Sequence, residues 1–166
     1  GLLVLILLAN FTGYLLPWDQ LAYLAVTGHT HSRIALTSLL WGEVDDNRAR
    51  NSLRNALSVI RRLPTPMPIL KTDRDQVRLH QDRLWLDVVV FREAIQNEQS
   101  IANLTEALSL WRGPFLDGLS LDGALGFDDW LTATRYQLDR LHQDGWLALS
   151  RAFESVGQWK QAIEAT

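Results

Sequence analysis

The chain has 166 residues, is 47% hydrophobic and contains no cysteine. It therefore holds enough apolar material for one domain or two small ones, which argues against general disorder. It has no disulfide framework, thiolate zinc site or cysteine nucleophile, a composition suited to a reducing cytoplasm. The net charge of −3 conceals an asymmetry: residues 33–83 carry ten basic side chains against six acidic, whereas residues 86–166 carry six against twelve. That order suits a nucleic-acid-binding module followed by one that meets protein.

Residues 1–16, GLLVLILLANFTGYLL, are apolar and uncharged, and Pro17 stops the run. The run falls short of the roughly 20 residues a bilayer-crossing helix needs, so it reads either as a truncated membrane span or as a buried core segment. A signal peptide is disfavoured by the lack of a basic start and of a small-residue cleavage site. The start at Gly1, with Met67 the sole methionine, suggests a fragment or a processed product. Within LLANFTGYLLPWDQLAY, the series Gly13, Tyr14, Leu16, Pro17 and Trp18 resembles the cytochrome b family over about the first 23 residues. None of the four histidines lies in this stretch. The resemblance thus implies no haem or quinone site, and the segment reads as a truncated or fused remnant.

From Asp19 the pattern changes. Leu21, Ala22, Leu24 and Ala25 predict a short helix that Gly28 ends by allowing a left-handed backbone. Ser32 is placed to cap a second helix through Ile34, Leu36, Leu39 and Leu40 to Trp41, closed by Gly42. Asp45 and Asp46 supply a cap and favourable charge for a third helix over residues 46–62. There Ala49, Leu53, Ala56, Leu57 and Ile60 recur at three- and four-residue spacing as one apolar stripe. The opposite side carries Arg50, Asn51, Arg54, Asn55 and Ser58, with Arg48, Arg61 and Arg62 at the flanks, side chains that hydrogen-bond base edges and phosphates. By itself such a helix reads more readily as a solvated amphipathic one, since arginine is common on exposed faces; its neighbours decide. Pro64, Pro66 and Pro68 mark a loop, and Ile69 to Leu79 predict a β-hairpin with Asp73, Arg74 and Asp75 at its tip. Two helices, a basic helix and a hairpin follow the order of a winged helix-turn-helix, in which the basic helix enters the major groove and Lys71 and Arg74 touch the backbone from the wing.

Beyond the hairpin, helical periodicity covers residues 88–96, 101–111 and about 127–156, with Leu131, Leu138, Leu141 and Leu147 as core candidates. The seven tryptophans are expected to be mostly core. Gly157-Gln158-Trp159, followed by Ala162 and Ile163, matches the turn between paired helices of a tetratricopeptide repeat, an architecture that offers concave surfaces to other proteins.

Five blocks in order carry a second resemblance: His31-Ser32-Arg33, Leu39-Leu40-Trp41, Ala49 to Arg54, Leu84 to Asp87 and Trp111 to Leu116. Over about residues 21–166 the chain resembles the bacterial transcriptional activators typified by the Streptomyces antibiotic regulatory proteins. The resemblance implies an OmpR-like winged helix followed by an all-helical, tetratricopeptide-like bacterial transcriptional activation domain. The family's winged helix opens on a small N-terminal sheet and a full first helix. Here the cytochrome-like stretch stands in that place, with Leu2 to Leu8 as substitute hydrophobic cover. The expected fold is therefore mainly α: a hydrophobic segment at 1–18, a winged helix-turn-helix at 19–83 lacking its N-terminal sheet, and a helical domain at 84–166.

Other constellations are weak. His29 and His31 lack cysteine or carboxylate at metal-binding spacing, Asp128 and Asp129 point apart on a helix, and neither a phosphate-binding glycine loop nor a Ser-His-Asp order is present. The expectation is a cytoplasmic DNA-binding transcriptional activator, not an enzyme, with no catalytic, cofactor or metal residues. Arg48, Arg50, Asn51, Arg54, Asn55, Ser58, Arg61, Lys71 and Arg74 would lie on double-stranded DNA. RNA polymerase and a second copy are the expected protein partners, and a membrane is one only if residues 1–16 are a genuine span. The rival readings are a helical interaction scaffold whose truncated winged helix no longer binds DNA and, more remotely, a membrane cytochrome b fragment.

Overall fold

A computed structural model describes residues 18–97, 100–119, 121 and 123–157. The apolar segment at 1–17 and the repeat turn beyond Gly157 lie outside the described residues. The elements are α1 (Trp18–Thr27), β1 (His31–Ser32), α2 (Arg33–Leu40), α3 (Asp46–Arg61), β2 (Leu70–Thr72), β3 (Gln76–Leu79), a 3-10 turn (Gln81–Arg83), α4 (Asp87–Asn97), α5 (Ile101–Ser109) and α6 (Leu125–Ser155). The chain is mainly helical and divides into two compact units.

The first unit comprises the described residues up to Leu86 together with Leu119–Asp129. Its helices begin and end where local chemistry dictates. Gly28 takes φ +67 directly after α1, and the Gln81 amide donates to the Ala25 carbonyl at 2.6 Å, covering one of the carbonyls left free by the end of that helix. A Cβ on Gly28 would fall 2.2 Å from Gln81 Oε1, so the position suits glycine both in conformation and in space. Ser32 accepts from the Ala35 amide at 3.0 Å and caps α2; Asp45 accepts from the amides of Asn47 and Arg48 at 3.0 and 3.3 Å and caps α3.

The sheet holds more than the hairpin that the sequence predicts. β1 joins it as a third, edge strand, in the order β1-β3-β2, with His31 opposite Val77 and Ser32 opposite Gln76. Ser32 thus closes a strand and caps a helix in one residue. Leu24, Leu36, Leu53, Leu57, Ile60, Ile69, Val77 and Leu79 form the core, and Tyr23, Trp41 and Leu63 pack on its margin. The predicted stripe of α3 faces this core: Ala49, Leu53, Ala56, Leu57 and Ile60 are all buried.

The second unit comprises the described residues of 87–118 and 130–157. Phe91 and Ile95 of α4, Leu104, Ala107 and Leu108 of α5, and Leu138 and Leu149 of α6 make its core. The Arg135 guanidinium donates to the carbonyls of Phe115 and Leu116 at 2.8 and 2.6 Å, bracing the turn in which Leu116 takes φ 49, a left-handed backbone uncommon outside glycine. Two expectations about apolar residues fail here. Leu147 is 45% exposed because, nine residues from Leu138 at about 100° per residue, it falls on the opposite side of α6. Among the five tryptophans at 41, 85, 111, 130 and 146 none is fully buried: Trp85 and Trp146 are exposed, Trp41 and Trp111 pack at core margins, and Trp130 is half-buried. Trp111 stacks on His142 with ring centroids 4.4 Å apart, and the Trp146 indole donates to His142 Nε2 at 3.1 Å. Large flat rings here cover polar and apolar neighbours together, as amphipathic aromatics do.

Candidate nucleic-acid interface

Because one face of α3 is anchored in the core, its polar face is fixed in direction. Arg48, Arg50, Asn51, Arg54, Asn55, Arg61 and Arg62 are exposed and Ser58 is half-buried. At about 100° per residue, Arg48, Asn51, Asn55, Ser58 and Arg62 fall within the arc opposite the buried stripe, while Arg50, Arg54 and Arg61 run along one shoulder. The structure therefore brings the predicted helix residues onto one continuous surface. Their partners differ. The Arg50 guanidinium sits 3.3 Å from the Asp46 carboxylate, Arg54 Nη1 donates to Asn51 Oδ1 at 2.8 Å, and Arg61 donates to the Thr72 hydroxyl of β2. The last contact ties the end of α3 to the tip end of β2, next to Asp73.

The hairpin tip is built by Asp73, whose Oδ1 accepts from the amides of Asp75 at 3.0 Å and Gln76 at 2.7 Å. The Arg33 guanidinium, at the start of α2, donates twice to the Asp73 carbonyl, at 3.3 and 3.2 Å, so the tip is secured from across the sheet. Arg74 is exposed at that tip. Lys71 and Arg78 stand directly opposite in the register of β2 and β3, both exposed and therefore on one face. Among the described residues no carboxylate pairs with either. Like charges placed opposite on a sheet repel, so this face attracts anions. Arg78 and Arg33 were not among the DNA-contacting residues expected from the sequence. Arg78 becomes visible only through the strand register, and Arg33 only through a contact forty residues away in sequence.

Beneath the hairpin, His31 locks β1 to α1. Thr27 Oγ1 gives its proton to the Tyr23 carbonyl at 2.7 Å, so His31 Nε2, 2.7 Å from the same oxygen, carries the hydrogen and donates. Burial pushes this imidazole down to about 4, and the neighbouring His29 ring adds to the depression. An unfolded histidine titrates near 6.5. Between those values the unfolded chain binds more protons, so the stability contributed by neutral His31 is complete above pH 6.5 and is lost as the pH falls towards 4, by at most about 1.4 kcal/mol per unit. The urea midpoint is expected to fall from pH 7 to pH 5 more steeply in the wild type than in His31→Gln, which keeps a donor there. Equal slopes would show that His31 is not the group responsible.

Among the described residues no cluster of three or more histidines or carboxylates is placed to hold a metal ion, and no helix is long and apolar enough to cross a membrane.

Residues 86–166 match the family model of the bacterial transcriptional activator domain. The match covers just under half of the chain and supports a family of the bacterial transcriptional activator type. No curated protein matches the chain, and no solved structure matches it.

Proposed function

We propose that this protein is a DNA-binding transcriptional activator, cytoplasmic and without enzymatic activity. Its first unit works as a winged helix-turn-helix, and its helical half is a tetratricopeptide-like domain that contacts RNA polymerase or a second copy of the chain. The observation that carries the reading is the polar face of α3: capped at Asp45, anchored by a wholly buried stripe and lined with Arg48, Arg50, Asn51, Arg54 and Asn55. The element order supports it, since α1, β1, α2 and α3 followed by the β2–β3 hairpin is the order of a winged helix, with α3 as the groove reader and the hairpin as the wing. In this reading Lys71, Arg78 and Arg74 meet phosphates, Arg61 steadies the joint between helix and wing, and Ser58 borders the reading face. The family match of residues 86–166 supports the protein-contacting half.

Duplex binding should weaken steeply as salt rises, with a log–log slope near −0.9 for each neutralised phosphate. Fluorescence anisotropy on a promoter-region duplex measures it. Lys71→Ala combined with Arg78→Ala is expected to flatten the slope by about one to two, and Arg54→Ala to reduce affinity. Unchanged affinity and slope in Arg54→Ala would remove α3 from the interface. A second reading, a helical interaction scaffold whose first unit does not bind DNA, is favoured by the position of the family match in the second half. Recovery of a defined partner such as RNA polymerase, with no duplex binding at any salt, would select it.

A further inference from the structure

The arginines of α3 and its C-cap are not equivalent. Arg50 is drawn to the Asp46 carboxylate on its own helix, and Arg61 is committed to Thr72 of β2. Arg48 lies in the first turn and Arg62 at the C-cap. Arg54 stands at the middle of the helix, exposed, and among the described residues no carboxylate pairs with it. Its hydrogen-bond partner is neutral: Asn51 Oδ1, one turn back, accepts from Nη1 at 2.8 Å. A neutral acceptor fixes the plane of the guanidinium without cancelling its charge, and it leaves the remaining N–H groups of the fork free.

Resting on the reading of α3 as a major-groove helix, we propose that Arg54 reads a guanine, donating in parallel to O6 and N7, and that Asn51 is the positioning residue that holds its guanidinium for that contact. In the major groove guanine presents two adjacent acceptors that match a planar fork, whereas adenine presents one acceptor beside a donor. Asn51 Oδ1 keeps a second lone pair, but the bond it accepts from Arg54 turns its amide towards the guanidinium, the orientation a positioning role needs.

The test is to select duplexes from a random-sequence library with the 166-residue chain, then to titrate the preferred duplex with 7-deazaguanine replacing each guanine in turn. The wild type should show one guanine whose lost N7 lowers affinity about tenfold or more. Arg54→Gln should bind with no such sensitive position. Asn51→Ala should reduce the discrimination severalfold while leaving the salt slope and the melting temperature unchanged, a combination that a merely structural role would not produce. The same sensitive guanine in Arg54→Gln, or none in the wild type, overturns the assignment of Arg54. Full discrimination in Asn51→Ala overturns the positioning role. Failure of the wild type to retain any duplex overturns the DNA-binding reading and this inference with it, a result distinct from binding without guanine sensitivity.

Discussion

Leu53→Ala is expected to destabilise the first unit by about 2–5 kcal/mol, enough to unfold much of it, because stability on that scale is a large share of what a small domain has. Leu53 is 2% exposed at the centre of the α3 stripe and belongs to the core cluster with Leu24 of α1, Leu36 of α2, and Val77 and Leu79 of β3. Truncation removes its transfer free energy and leaves a cavity that four elements would have to close at once. Leu53→Met, which roughly conserves volume, should cost less than about 1.5 kcal/mol. The adjacent Arg54→Ala gives the complementary result: an exposed surface change within roughly 0.5 kcal/mol of wild-type stability, yet with reduced DNA affinity if the proposed function holds. Urea denaturation followed by hydrogen exchange of the α3 amides measures both. Equal stability losses at the two positions would show that the helix is not amphipathic in the sense described. The comparison separates the stripe that holds the helix from the face that it presents.

That division was legible in the sequence because it is local. The stripe of α3 repeats within a few turns, Asp45 and Ser32 sit directly before the helices they cap, and Val77 and Leu79 alternate with exposed Gln76 and Arg78 on one short strand. What the sequence withheld was set by partners distant along the chain. β1 is two residues long, too short to show any alternation, and it exists because His31 finds Val77 across the sheet. Opposing Lys71 to Arg78 required the register, and the service of Arg33 to the hairpin tip required the folded sheet. Leu147 and Trp146 misled for a different reason. Composition ranks such side chains as core, but a helix as long as α6 has a far side, and a face decided by packing cannot be read from residue type alone.

Gly145 carries the same lesson in the opposite sense. A glycine in the middle of a helix costs roughly 1 kcal/mol relative to alanine, so its place in α6 needs a packing reason. The reason is close approach: a Cβ there would lie 2.7 Å from Ile95 Cδ1 of α4 and 3.1 Å from Leu108 Cδ2 of α5, below or at the edge of tolerable contact. Gly145→Val is therefore expected to destabilise the second unit by about 1–3 kcal/mol or more through overpacking and loss of χ1 freedom. Gly145→Ala sets two effects against each other. The gain in helix propensity is at most about 1 kcal/mol, and the contact with Ile95 forces a side-chain shift that should outweigh it, giving a modest net loss. Shortening the opposing side chain reverses the sign. In an Ile95→Ala background, already weakened by its own cavity, Gly145→Ala should become stabilising by up to about 1 kcal/mol, because the space left by Ile95 lets Leu108, the remaining close neighbour, move aside. A double-mutant cycle by thermal and urea denaturation reads this coupling directly. Stabilisation by Gly145→Ala in the wild-type background, with no coupling to Ile95, would mean that α4 and α5 do not press on α6 at this turn.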